Sequence, residues 1–487
     1  MLKNLFIHFS KYSLSNILIA LAGLVSFPIL TRMLTVEQYG VMSLIGATLT
    51  LVISFGKLGV QHSAIRFYSE INANKSPFNL TQFFSTVLTF SACAGAVFTG
   101  LWLLGLVFLP EHHYEGTVVP ALFIASVLVF VRIFYSSILN IYRAKELSGL
   151  VSAHSVSIKY GGLMCMCLLL FYWQQDLRSV YGGMVIWELL TLVLIGYHLF
   201  KHFGEHIRFS VDPALLKTML MYGIPMLGTE LAYGLLNTGD RYIIQLLIGS
   251  DDLGRYAAAY NLCNIINGVI ALSVAMAVRP MYLRLWAEEG KERTRQFIEM
   301  STKYYWMASM PIVFGLSAIS EDLISLLASS KYVEGAVIVP YAMSGFAIYG
   351  SAVIIAAGIF IYKQSMKLMI FVLASVLLNV SLNFALIPLF GIKGAAIATL
   401  VSFSALTVVM YFYASRLLFI RLPLLKIMQY TLAALVMYIG IMQFHYESYL
   451  YNLLFKITAG AAIYAAIIFL TERDIRYIVL KYTGIKA

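Results

Sequence analysis

Charge is what this chain has least of. Asp, Glu, Lys and Arg make up 12% of its 487 residues against 60% for the apolar set, too few to cover a water-soluble surface of that length. That shortage argues against a soluble enzyme. The net charge is +11, yet no long basic soluble domain presents it, so nucleic acid is not expected as a partner. Cysteine is scarce as well. Cys93, Cys165, Cys167 and Cys263 all stand in apolar runs, and the Cys-x-Cys pair points its thiols to different faces of a helix, so neither a disulfide nor a metal site is expected. No glycine-rich phosphate loop and no cluster of metal-ligand spacing occurs, and no cofactor is implied. The longest polar interruption, about Arg279–Lys303, carries Glu288-Glu289-Gly290-Lys291-Glu292-Arg293. It reads as a solvated loop and leaves no room for a separate catalytic domain.

Long apolar runs are what the chain has in abundance, with a mean hydropathy of +0.83. They cover 12–32, 41–63, 82–109, 118–141, 149–172, 181–200, 218–238, 256–278, 304–327, 337–361, 368–389, 394–415, 427–444 and 453–470. At about 1.5 Å per residue each is long enough to cross a hydrocarbon layer of about 30 Å. The runs lack the two-residue alternation of barrel strands, so the expected fold is an all-α integral membrane protein with about fourteen transmembrane helices. The first run ends in Ile29-Leu30-Thr31-Arg32 without a small-residue cleavage site, and reads as a retained helix. Lys and Arg set the orientation. With the N-terminus inside, 24 of the 34 basic residues fall on the cytoplasmic side, from Lys3 and Lys11 to Lys481 and Lys486. Seven fall outside, Lys456 among them. Both termini are therefore expected in the cytoplasm.

The chain repeats itself. Leu34–Leu44 and Ile248–Tyr260 place an acidic turn, an apolar residue and a glycine before a small-residue run, with Gly40 on Gly254. Arg66-Phe-Tyr-Ser-Glu70 matches Arg284-Leu-Trp-Ala-Glu288, Tyr142-Arg143 matches Tyr362-Lys363, and Gly182-Gly183 matches Gly394-Ala395, at offsets of 214, 218, 220 and 212 in chain order. Two six-helix bundles follow, 1–200 and 218–415, joined by a cytoplasmic linker 201–217 and followed by two further helices and a tail in 416–487. An even number of helices per half implies a parallel repeat about an axis along the membrane normal, as in transporters that rock about a central site.

At these residues the sequence resembles a family. Phe27-Pro28-Ile29-Leu30-Thr31-Arg32-Met33-Leu34, Glu37-Gln38-Tyr39-Gly40, Gly59 and Arg66-Phe67-Tyr68 look like the start of polysaccharide-biosynthesis flippases. Gly223-Ile224-Pro225, Asn237, Asp240-Arg241-Tyr242-Ile243 and Leu253-Gly254-Tyr256 look like the start of their second half. These are Wzx-type O-antigen and capsule-repeat exporters of the multidrug/oligosaccharidyl-lipid/polysaccharide (MOP) superfamily. The resemblance implies a V-shaped pair of bundles in the bacterial inner membrane that moves a polyprenyl-diphosphate-linked oligosaccharide to the outer leaflet by alternating access. Polysaccharide polymerase and chain-length machinery would be its partners. The rivals are a drug or cation antiporter of the same superfamily and a membrane enzyme acting on lipid-linked sugars.

Three basic residues, Lys57, Arg132 and Lys159, fall inside apolar spans, where a charge near the bilayer centre costs about 2.5–3.5 kcal/mol and is expected to face a partner or a water-filled cavity. Each belongs to a polar stripe. Ser43, Thr50, Ser54, Lys57 and Gln61 are 7, 4, 3 and 4 residues apart; Arg132, Ser136, Asn140 and Arg143 form a second stripe, and Ser152, Ser155 and Lys159 a third. With Arg32 and Arg241 near the outer helix ends, these are the candidate diphosphate ligands, because Lys and Arg supply charge-assisted hydrogen bonds to phosphate. Asn237, Asn264, Asn379 and Asn383 are candidate sugar contacts. His154, Glu188, Glu230 and Asp240 are candidates for proton or cation coupling, and Pro28 and Pro225 for the bends of the opening helices.

Overall fold

The computed structural model describes residues 2–108, 116–444 and 448–477, with side chains described except at 2–13, 269–277 and 365. Lys481 and Lys486 lie outside the described residues, as do the side chains of Lys3 and Lys11. The elements are α1 (Leu2–Met33), α2 (Val36–Gly56), α3 (Val60–Asn72), α4 (Leu80–Val107), α5 (Val118–Ala144), α6 (Ser148–Tyr172), α7 (Leu177–Phe203), α8 (Pro213–Leu247), α9 (Ser250–Glu288), α10 (Gly290–Leu327), α11 (Val339–Ile355), α12 (Ala357–Ile361), α13 (Ser365–Phe390), α14 (Ile392–Leu417), α15 (Leu424–Met442) and α16 (Tyr449–Thr471). Short 3-10 turns occupy Gly204–His206 and Ser330–Ile338. No strand occurs among the described residues, as the long apolar runs require.

Twelve spans among the described residues are long and apolar enough to cross a bilayer. α8 at 35 residues and α9 at 39 also exceed the roughly 20 residues that a crossing needs. Together these elements accommodate the fourteen apolar runs. Sequence-coded caps start several of them, satisfying backbone N–H groups that the first helical turn leaves without partners. Thr35 and Gln38 close a capping box at α2, and Asn79 and Gln82 close one at α4. Asp176 accepts from the backbone N–H groups of Arg178 and Ser179 at the start of α7.

The structure departs from the sequence reading in three places. The run 41–63 is not one helix, because the chain breaks at Lys57-Leu58-Gly59, with Leu58 at φ 47° and Gly59 at φ 77°. Arg279–Lys303 is not a loop. It forms the end of α9 and the start of α10 around Gly290 at φ 79°, and Arg284–Glu288 and Arg295–Glu299 pairs one turn apart lie along it. The run 337–361 divides into α11 and α12 at Ala356. Pro28 and Pro225 lie within α1 and α8, as expected, while Pro280, Pro311 and Pro388 lie within α9, α10 and α13.

Two compact units, Met1–Tyr242 and Ile243–Ala487, meet within α8. The first takes in the polar stretch 201–217 and most of α8. Its core joins Tyr68, Phe83, Phe84, Ile138, Tyr142 and Leu199 from α3, α4, α5 and α7. In the second, Tyr282, Ile298, Ile354 and Leu418 form one cluster, and Tyr430, Met437, Tyr464 and Ile468 form another that docks α15 and α16 on α10. Ion pairs fasten these last two helices. Asp322 Oδ2 accepts from Lys456 Nζ at 3.1 Å and Asn452 Nδ2 at 2.7 Å. Lys456, counted above among the outer basic residues, is buried in α16 with this partner. At the far end of α10, Lys303 and Lys426 reach Glu472 at 2.9 and 2.6 Å. Burial opposes the ionisation of Glu472, but the hydrogen bonds from Lys426 and Lys303 outweigh it and hold the carboxyl below its ordinary range.

Candidate functional site

The first unit holds a basic cavity between α1, α5, α6 and α7. Ser26, Leu30, Arg132, Tyr135, Lys159, Met166, Met184 and Glu188 are among its lining residues, and its volume is about 380 Å³. α6 and α7 close its wall through glycines. A Cβ on Gly183 would stand 2.3 Å from the backbone N of Met166, and one on Gly161 would stand 1.8 Å from the Trp187 ring. This near contact of two helices brings Glu188, one and a half turns past Gly183, to the same cavity as Lys159.

Arg132 approaches Glu188 as a fork. Nη2 donates to Oε1 at 2.7 Å and Nε to Oε2 at 2.9 Å, the bidentate geometry in which a guanidinium binds a carboxylate most strongly. The Glu188 side chain is 5% exposed and that of Arg132 is 34% exposed, so the arginine keeps part of its surface toward the cavity. Lys159 differs. It is exposed, lies within electrostatic reach of Arg132 and Glu188, and makes no hydrogen bond or ion pair among the described residues. The cavity thus holds two cations and one carboxylate, an excess of one positive charge.

A second polar focus forms at the break between α2 and α3. Glu230 of α8 accepts from Ser54 Oγ at 2.9 Å and Gln61 Nε2 at 2.9 Å, and His62 Nε2 lies 3.0 Å from it. Lys57, which caps α2, is within electrostatic reach of Glu230 and of Arg143. The elements touch backbone to backbone: a Cβ on Gly59 would stand 2.2 Å from Gly223 C, and Ser63 Oγ donates to Met219 O at 2.5 Å. Two glycines are required here, since any side chain at either position would overlap main-chain atoms.

Of the residues singled out by sequence, these two groups bring together Arg132, Lys159 and Glu188, and Lys57 and Glu230. The others stand elsewhere. Arg32 is exposed at the end of α1, and Arg241 Nη1 donates to Ser43 O at 3.4 Å. His154 presents its ring to Tyr135 at 6.4 Å between centroids, and Asp240 is buried. Asn237 Nδ2 donates to Tyr233 O on its own helix at 2.7 Å. Asn264 is exposed on α9, while Asn379 and Asn383 are fully buried and bonded to each other at 2.9 Å. Sequence reasoning missed His62. The phase of the 43–61 stripe assumes one continuous helix, and Gly59 immediately before Val60-Gln61-His62 was the available sign of a break.

Comparisons with known proteins place the chain. The profile of the family described as Polysaccharide biosynthesis protein matches residues 2–286. The succinoglycan biosynthesis transport protein ExoT of Rhizobium meliloti (strain 1021) is 25% identical over 157 residues, covering 31% of each chain. The probable low-salt glycan biosynthesis flippase Agl15 of Haloferax volcanii is 24% identical over 198 residues, 41% of this chain and 42% of that one. The matched region therefore spans well under two thirds of either relative. Among solved structures, the lipid II flippase MurJ in an inward closed conformation superposes with a TM-score of 0.78 at 15% identity, covering 96% of this chain and 99% of that chain. An inward-facing multidrug resistance MATE family transporter of the MOP superfamily gives 0.66 at 14% identity, covering 84% and 94%. The likeness to both structures is one of fold. With more than half of its length matched by the family profile, the chain belongs to the polysaccharide biosynthesis protein family.

Proposed function

We propose that this protein is a flippase that carries a polyprenyl-diphosphate-linked oligosaccharide from the cytoplasmic to the outer leaflet for surface polysaccharide assembly. One observation carries the reading: in a chain with 12% charged residues, an unpaired Lys159 and a forked Arg132 share a cavity within membrane-spanning helices. A diphosphate head bears roughly two negative charges, and desolvated cations offset the loss of its hydration. Outward movement of two negative charges from a negative interior is helped by about 4–5 kcal/mol per 100 mV. Lys159 and Arg132 are the first ligands of the diphosphate, with Lys57, Arg32 and Arg241 along its route, and Asn237 and Asn264 are the remaining candidates for contact with sugar, since Asn379 and Asn383 are buried against each other.

The names of ExoT and Agl15, a glycan transport protein and a probable glycan flippase, support transport of glycan precursors. The MurJ-like and MATE-like fold supports two six-helix halves followed by α15 and α16, working as a transporter rather than an enzyme. In this reading the protein lies in the bacterial inner membrane with both termini cytoplasmic and hands its product to a polymerase and chain-length machinery. The test is the flipping rate of a fluorescent polyprenyl-diphosphate oligosaccharide in proteoliposomes. Lys159→Ala should slow it at least tenfold and Lys159→Arg should restore most of it. Equal rates in the native chain and Lys159→Ala would remove the cavity from the mechanism.

A further inference from the structure

The contacts of Glu230 have a chemistry that the diphosphate cavity does not use. Two donors, Ser54 Oγ and Gln61 Nε2, and the His62 ring converge on this carboxylate from both sides of the α2–α3 break. The pair is not sealed in the core, since the Glu230 side chain is 32% exposed and that of His62 is 41% exposed. Lys57, at the break itself, is the nearby ammonium. The same charge cannot fully neutralise Glu230 and also hold a phosphate oxygen. An anion drawn to Lys57 enters the field of Glu230, and two like charges at close range favour protonation of one of them.

We propose that the His62–Glu230 pair is a proton-binding site linked to anion binding at Lys57, with one proton taken up as the diphosphate arrives. The proton belongs to the pair as a unit. On His62 it makes an imidazolium that neutralises Glu230 across the 3.0 Å contact, and on Glu230 it removes the negative charge directly. Either way Lys57 is released to the anion, and the loaded site carries one fewer negative charge. Imidazole is suited to this because its ordinary charge change lies near pH 6.5. Among the described residues, the charged and hydrogen-bonding groups acting on Glu230 are Lys57, Ser54, Gln61 and His62. α2 contributes Lys57 and Ser54, and α3 contributes His62 and Gln61. From α5, Arg143 acts on Lys57 while donating to Asn140 at 2.8 Å. Arg66, farther along α3, is occupied by the Tyr222 ring at 4.5 Å and by Glu70. Protons and anion therefore strengthen each other's binding, a reciprocity that linkage requires.

This inference rests on the reading of the cargo as a polyprenyl diphosphate, and its test separates the two. Farnesyl diphosphate is titrated calorimetrically into the full chain in nanodiscs at pH 6 to 8, in buffers of different ionisation enthalpy, which counts the protons taken up per ligand bound. The native protein should take up close to one proton more than Glu230→Gln over part of that range, with affinity rising up to about tenfold per unit fall in pH. His62→Gln should reduce the uptake as well, and Lys57→Met should weaken binding. The ligand's own titration cancels in the comparison. Equal proton uptake in native and Glu230→Gln proteins that both bind would overturn the linkage and leave the flippase reading intact. Binding that ignores Lys57→Met would also overturn it. Failure of the flipping assay in proteoliposomes, by contrast, would remove the cargo assignment itself.

Discussion

Two helical stretches that begin alike end differently. α2 and α3 together run from Val36 to Asn72, and α9 from Ser250 to Glu288; aligning their opening sequences sets Gly40 on Gly254. At that register Lys57-Leu58-Gly59 falls on Ala271-Leu272-Ser273. The first triplet breaks its helix with two consecutive left-handed residues, while the second continues it. A leucine at positive φ costs about 1–2 kcal/mol, and a break in a helix frees backbone groups that need other partners. Local turns absorb them: Leu58 N donates to Phe55 O at 2.9 Å and Val60 N to Lys57 O at 3.0 Å.

The same contrast recurs between other helices. An offset of 217 brings Glu146 onto Lys363, left-handed residues at φ 59° and 56° that turn the chain after α5 and α12. Arg132 then falls on Tyr349. In the first unit Arg132 ties α5 to α7 through Glu188; in the second, Tyr349 ties α11 to α14 by stacking on Phe403 at 4.8 Å. At that offset the aligned joints are held by charge in one unit and by aromatic packing in the other. The aromatic pair shows that helices at such a joint can pack without an ion pair, and the proposed role of the first unit in handling a charged ligand would account for the charge there.

Substitutions can sharpen this contrast. Gly59→Val should be the most damaging, destabilising the protein by about 4 kcal/mol, because it places a β-branched residue at positive φ against the Gly223 backbone; thermal unfolding in detergent reads this out. Arg132→Met should cost about 3 kcal/mol by stranding buried Glu188, whereas Arg132→Tyr/Glu188→Phe, copying the other unit, should recover most of that stability and still abolish flipping. A double variant as unstable as Arg132→Met would mean that the ion pair is structural. Ser273→Gly, which places a glycine in α9 at the position aligned with Gly59, the residue before α3, should cost only about 0.5–1 kcal/mol. Lys159→Met should have the smallest effect on stability, within about 0.5 kcal/mol for an exposed side chain, while slowing transport in the flipping assay.

The fold was largely legible in the sequence because apolar runs of crossing length are set by the bilayer and leave little choice of structure. Thr35, Asn79 and Asp176 cap helix starts with residue types that favour that position, a sign the sequence reading did not use. The α2–α3 break was missed because Ser54, Lys57 and Gln61 keep helical spacing across it, which masked the one sign present, Gly59, while a left-handed leucine gives none. The charged stretch Arg279–Lys303 read as a loop because its composition is that of solvent, while pairs such as Arg295–Glu299 support a helix that extends beyond the apolar run. At the site, Arg132, Lys159 and Glu188 were recognisable as charges in apolar surroundings. Their meeting was not, since it depends on α6 and α7 closing over Gly161 and Gly183, a contact between helices that no spacing along one helix encodes.

The central claim is that the first unit selects its cargo by negative charge. The most direct measurement compares initial flipping rates, in the same proteoliposomes, of a fluorescent polyprenyl-diphosphate oligosaccharide and an uncharged polyprenyl glycoside bearing the same sugar. The account predicts that the diphosphate crosses at least tenfold faster and that Lys159→Ala narrows the gap from the diphosphate side alone. Equal rates for the two lipids in the native protein would contradict it.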